Sequence, residues 1–153
     1  RHSGIRRALI VVVDTSGLIS AVNDRSALHR ETRAFLDELG AEPDARLVVS
    51  PFILAEADYL ISERDNRPDI ALRVLRDVAA GGYHLEPFGP EDLDRAADVI
   101  ERYGDQDIGL ADASNVVLAE RHSTLSILTL DERHFRALRG PGGEPFHLLP
   151  TDR

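Results

Sequence analysis

Four carboxylates stand where a chain could gather them. Asp14 closes the aliphatic run Leu9-Ile10-Val11-Val12-Val13 and is followed by two hydroxyl residues, Thr15 and Ser16. Glu56 lies in Leu54-Ala55-Glu56-Ala57, shortly after the apolar Leu47-Val48-Val49. Asp112 lies in Gly109-Leu110-Ala111-Asp112-Ala113-Ser114-Asn115, and Asp131 ends Leu128-Thr129-Leu130-Asp131. Any one of them could be a helix cap or a solvated side chain; the recurrence of the same context is what argues for a site. Like charges about 4 Å apart cost roughly 1 kcal/mol in water and about 4 at an effective dielectric near 20. A cluster of four therefore either holds protons or is neutralised by a divalent cation. Hard oxygen donors suit Mg²⁺ or Mn²⁺, completed by water and substrate phosphate. Such an ion activates a water and orients it on a phosphodiester. One ion and a pair of ions both fit four carboxylates.

The elements that must position these acids follow from hydrophobic period and breakers. The run from Leu9 to Val13 is too short for a helix and suits a strand buried on both faces. A short helix from Ser16 to Ala21 and a second over about 26–39 follow, the latter stopped by Gly40. Leu47 to Val49 is a second strand, and Ser50-Pro51 reads as the cap and first residue of the helix that carries Glu56. Further helices are expected over about 69–80, 90–103 and 108–121, with strands at 83–88, 125–130 and 145–149 and a short helix between the last two. Strands alternating with helices predict a largely parallel sheet covered on both faces. In such a sheet, strand ends and the starts of the following helices share one edge, where ligands bind. The four acids should meet there.

The totals agree and exclude rivals. At 153 residues the chain is expected to be one domain over residues 8–150, with 1–7 a leader and 151–153 a tail. It has no Cys, which excludes thiol catalysis and Cys-ligated zinc. All 18 basic residues are Arg, so Schiff-base, P-loop-lysine and lysine-base mechanisms are excluded. The absence of any apolar run of membrane length and of a signal pattern predicts a cytoplasmic protein with no membrane partner. A net charge of −9 argues against binding nucleic acid through a broad basic surface.

Val12-Val13-Asp14-Thr15-Ser16, Ser50-Pro51-Phe52-Ile53-Leu54-Ala55-Glu56, Asp107-Ile108-Gly109-Leu110-Ala111-Asp112-Ala113 and Ile127-Leu128-Thr129-Leu130-Asp131, in that order and spacing, resemble the PIN-domain family of metal-dependent ribonucleases, and in particular the toxin component of VapBC toxin–antitoxin modules. The resemblance implies a three-layer α/β/α domain with sheet order 3-2-1-4-5, and Asp14, Glu56, Asp112 and Asp131 as metal-binding catalytic acids. It implies a hydroxyl beside them, from Thr15, Ser16 or Thr129, with Asp107 as an outer member. It further implies a Mg²⁺-dependent endoribonuclease (Mn²⁺ as substitute) cutting structured tRNA or rRNA, a homodimer, and a VapB-like antitoxin partner. Arg25, Arg30 and Arg133 are then candidates for RNA phosphate contacts. His134 could reach substrate or metal, although a local capping or packing role is favoured for it, and the other histidines show no ligand spacing.

Other families fit less well. A haloacid-dehalogenase-type phosphatase needs a second Asp where Ser16 stands, a dinucleotide-binding domain needs more glycines than Gly17, and a receiver domain needs a Lys. The alternative from another class is a PIN-like module that binds RNA or assembles complexes without cutting, its acids structural.

Overall fold

The computed structural model describes residues 9–153, so the expected leader at 1–7 lies outside the described residues. Five strands form one all-parallel sheet: β1 (Ile10–Val13), β2 (Arg46–Val49), β3 (His84–Leu85), β4 (Ser126–Leu128) and β5 (His147–Leu149), in the order β3-β2-β1-β4-β5. The expectation was a mainly parallel sheet; among the described residues every strand pairing in it is parallel. The helices are α1 (Thr15–Val22), α2 (His29–Gly40), α3 (Pro51–Tyr59), α4 (Pro68–Ala79), α5 (Pro90–Arg102), α6 (Leu110–His122) and α7 (Glu132–Ala137).

Period-two alternation along the strands feeds two cores. Val11 and Val13 pack with Leu18, Ile53, Ile61 and Val74 on one face. Val12 packs with Val99, Val116, Leu118, Phe135 and Leu148 on the other. The first four helices thus cover one face and the last three the other, a three-layer α/β/α arrangement. The central strand is buried on both sides, which is why its sequence is uninterrupted aliphatic rather than alternating with polar residues. Expected strand 83–88 shrinks to two exposed residues at the sheet edge, because Pro87 cannot donate to a ladder. Expected strand 125–130 ends at Leu128, and Thr129 and Leu130 leave it to form the site described below.

Residues 151–153 are not free of the fold: Asp152 accepts two hydrogen bonds of 2.7 Å from Arg136 and one of 2.8 Å from the Leu148 amide. Among the described residues no helix is long and apolar enough to cross a membrane.

Candidate active site

All four sequence-selected acids line one cleft of about 400 Å³ beyond the carboxyl ends of β1, β2 and β4, together with Thr15, Ser16, Leu60, Arg64 and His134. Each arrives by a local rule. Asp14 is the residue after β1 and precedes α1. Glu56 is on α3, whose start is fixed by Pro51 at the first turn and by the Ser50 hydroxyl accepting from the Phe52 amide at 3.1 Å. Asp112 is in the first turn of α6, where the helix dipole favours an acid. Asp131 caps α7 by accepting from the His134 amide at 3.2 Å. A 2.7 Å hydrogen bond from the buried Ser114 hydroxyl to that of Ser50 ties the start of α6 to the start of α3 and fixes the Asp112 and Glu56 segments relative to one another.

Asp14 is the buried member, 4% exposed. Its Oδ1 accepts from Asn115 Nδ2 at 2.9 Å and its Oδ2 from the Thr129 hydroxyl at 2.8 Å. Burial, opposed by the Thr129 hydrogen bond and reinforced by the charges of Asp112 and Asp131, lifts its carboxyl to about 7. Asp112 is also raised: burial is the main cause, His134 opposes it, and Asp131 and Glu56 add to it. The acids therefore feel one another, and the site has a deficit of positive charge.

The hydroxyls act as spacers. Thr129, fully buried, donates to Asp14 and accepts from the Asp131 amide at 2.9 Å, so one side chain sets the distance between two acids. Ser16 accepts from the Leu130 amide at 2.9 Å and lies 3.2 Å from the Thr129 hydroxyl. Thr15 donates to Glu56 Oε1 at 2.5 Å. Each of the three hydroxyls singled out by sequence touches an acid or its backbone.

Asp107 and the three arginines singled out by sequence lie outside the lining. Asp107 does not join the cleft: it is exposed and held in a left-handed conformation (φ 56°) after a 3₁₀ turn, outside the lining. Arg25, Arg30 and Arg133 are exposed and also outside it. The arginine in the lining is Arg64, braced by Asp65 at 2.8 and 3.3 Å. It is delivered by a π-helical turn, Leu60–Arg64, in which α3 widens by one residue per bond and turns both Leu60 and Arg64 to the cleft. His134 does more than its favoured capping role: its amide donates to Asp131 and its side chain reaches Asp112 and Asp131. Asn115 carried no assigned role in the sequence, although a polar residue three positions after Asp112 in an Ala/Val-rich helix is a usable signal.

A residue-by-residue fit to a cation rests on this chemistry. Asp112, Asp131 and His134 offer one donor atom each, all within 4.8 Å of one another. Asn115 Oδ1 and both ring nitrogens of His134 are buried without a hydrogen-bond partner. Oxygen donors in excess, depleted positive charge and orphaned polar atoms suit a hydrated divalent ion.

The PIN domain family model matches residues 11–141 of the chain. This chain belongs to the PIN-domain family. Ribonuclease VapC26 of Mycobacterium tuberculosis is 43% identical over 140 residues, covering 92% of the chain and 100% of that protein. At the level of fold, VapC20 of M. tuberculosis, described as a sarcin-ricin loop cleaving toxin, superposes with a TM-score of 0.70 at 16% identity, over 80% of this chain and 90% of that one. VapBC2 from Rickettsia felis, determined bound to a DNA fragment from its promoter, gives 0.64 at 14% identity over 92% and 98%. PIN nucleases generally depend on a divalent metal, and this member's acid cluster has the donors for one.

Proposed function

We propose that this PIN-domain protein is a Mg²⁺-dependent endoribonuclease and the toxin of a VapBC-type toxin–antitoxin pair, with Asp14, Glu56, Asp112 and Asp131 as its working acids. The observation that carries the reading is the convergence of those four side chains, from four separate segments, on the lining of one cleft. Support comes from the 43% identity to a ribonuclease along nearly the whole chain.

In this reading Asp14, Glu56, Asp112 and Asp131 would hold the ion. When bound, that ion supplies a nucleophilic water of lowered pKa and charge stabilisation at phosphorus. The chain's own residues supply the rest. Thr129, Asn115 and Ser16 fix the orientation of the acids before substrate arrives. Thr15 holds the exposed Glu56 carboxylate at the rim, where it can accept a proton from a water approaching the phosphodiester. Arg64, at the edge of the lining, is placed to meet a backbone phosphate of the RNA. A small antitoxin partner and a cytoplasmic site of action go with the same reading, as does Mn²⁺ in place of Mg²⁺.

The test is cleavage by purified Asp14→Asn and Asp112→Asn variants, with the RNA 5′ ends made on induced expression sequenced in parallel. Loss of about 10²-fold or more in rate, and of the new 5′ ends, is expected for each. Wild-type cleavage by both variants would refute the assignment, and absence of any cleavage by the wild type would favour a non-catalytic binding module.

A further inference from the structure

His134 lies three residues after Asp131 on α7, so the two side chains rise from the same helix face. Its Nδ1 is 3.0 Å from Asp131 Oδ2 and 3.3 Å from Asp112 Oδ2. At those distances a ring N–H aimed at either oxygen would make a good hydrogen bond, yet both ring nitrogens are without a hydrogen-bond partner, and both are buried. The two carboxylate oxygens therefore flank the axis of Nδ1 rather than sit on it.

Off-axis flanking at this separation is the arrangement that donors sharing a centre adopt. Two neighbouring donors about 2.1 Å from one octahedral ion stand about 3.0 Å apart, each about 45° off the other's metal bond. The observed separations match that edge, and the third donor atom closes the group within 4.8 Å. A neutral imidazole has one lone-pair nitrogen to give, and Nδ1 is the one turned to the acids.

We propose that His134 Nδ1 is itself a ligand of the divalent ion, beside Asp112 and Asp131, which makes this a mixed nitrogen–oxygen site rather than an all-carboxylate one. The proposal rests on the metal-site reading above and goes beyond its four acids. Its consequence is selectivity. Mg²⁺ prefers oxygen and holds its waters, whereas first-row transition ions accept imidazole readily. The site discriminates in favour of Mn²⁺ over Mg²⁺ through this one side chain, and His134 belongs to the metal-binding set.

Pulsed electron paramagnetic resonance on the Mn²⁺-loaded protein decides this without relying on activity. The wild type should show coupling of the manganese to a directly bound ¹⁴N nucleus. His134→Ala and the larger His134→Gln, each checked for native circular dichroism, should bind Mn²⁺ without it. In the same variants the ratio of Mn²⁺ to Mg²⁺ affinity, from Mn²⁺ titration and Mg²⁺ competition, should fall about tenfold. Nitrogen coupling that persists in both variants, or is absent from a wild type that binds Mn²⁺, overturns the proposal while leaving the acid site intact. Mn²⁺ binding unchanged in Asp112→Asn overturns the metal-site reading itself.

Discussion

Burial holds Asp14 at about 7, and the charges of Asp112 and Asp131 push the same way. In the unfolded chain that carboxyl ionises near its ordinary 3.8. The folded state therefore binds the proton more tightly, and the stability this contributes is complete below about pH 4, declines as pH rises, and is gone above about 7. At pH 8 without metal the protein carries a buried, ionised and repelled carboxylate. Asp14→Asn, which keeps the shape and removes the charge, should then be more stable than the wild type by on the order of 2–3 kcal/mol in EDTA at pH 8, with the gain shrinking as pH falls below about 7 and lost near 4. Thermal unfolding across pH measures it. A wild type as stable as the variant at pH 8 would show that the Asp14 pocket does not oppose ionisation. The same penalty explains why a cation belongs here, since a bound ion converts the conflict into affinity.

At the scale of elements, the site depends on α1 lying hard against the end of β4. Gly17 makes this approach possible: a Cβ there would stand 2.1 Å from the Leu128 carbonyl oxygen and 2.6 Å from its carbon. Backbone on the central sheet cannot yield as a flexible side chain can. Gly17→Ala should lower the melting temperature by about 5–10 °C, and it should reduce cleavage as well, because α1 carries Thr15 and Ser16 and follows Asp14 directly. A melting point within about 2 °C of wild type would contradict the close packing.

The elements show where sequence suffices. The uninterrupted aliphatic run before Asp14, and Ser50-Pro51 before Glu56, declare a two-sided strand and a capped helix by composition alone, and from those the shared edge of four acids follows. What was not legible depends on neighbours distant in sequence. Nearness to Asp14 or Asp131 along the chain points to Arg25, Arg30 and Arg133, which are exposed and outside the lining, whereas Arg64, at the end of a π turn far from either acid in sequence, lies in it. Asn115 and His134 gain their meaning from Asp14 and Asp112, partners in other elements. Asp107 follows the family's spacing, but it is exposed after a 3₁₀ turn and outside the lining.

For the whole molecule, a net charge of −9 repels RNA at long range, and a cleft lined by four acids deepens the repulsion at the point of chemistry. Substrate binding and cleavage at this edge are understandable only if a cation reverses the local sign. Away from the cleft a buried acid is neutralised by the chain itself: Glu86, where burial alone would raise the carboxyl, is held below its ordinary range by hydrogen bonds from His122 and Arg121, at 2.8 and 2.9 Å. The reversal is thus a property of the site. The most direct measurement is RNA cleavage by the purified protein after exhaustive EDTA treatment, followed by add-back of Mg²⁺ or Mn²⁺. Cleavage should vanish in EDTA and return with either ion, whereas full activity in EDTA would contradict a metal-dependent ribonuclease built on Asp14, Glu56, Asp112 and Asp131.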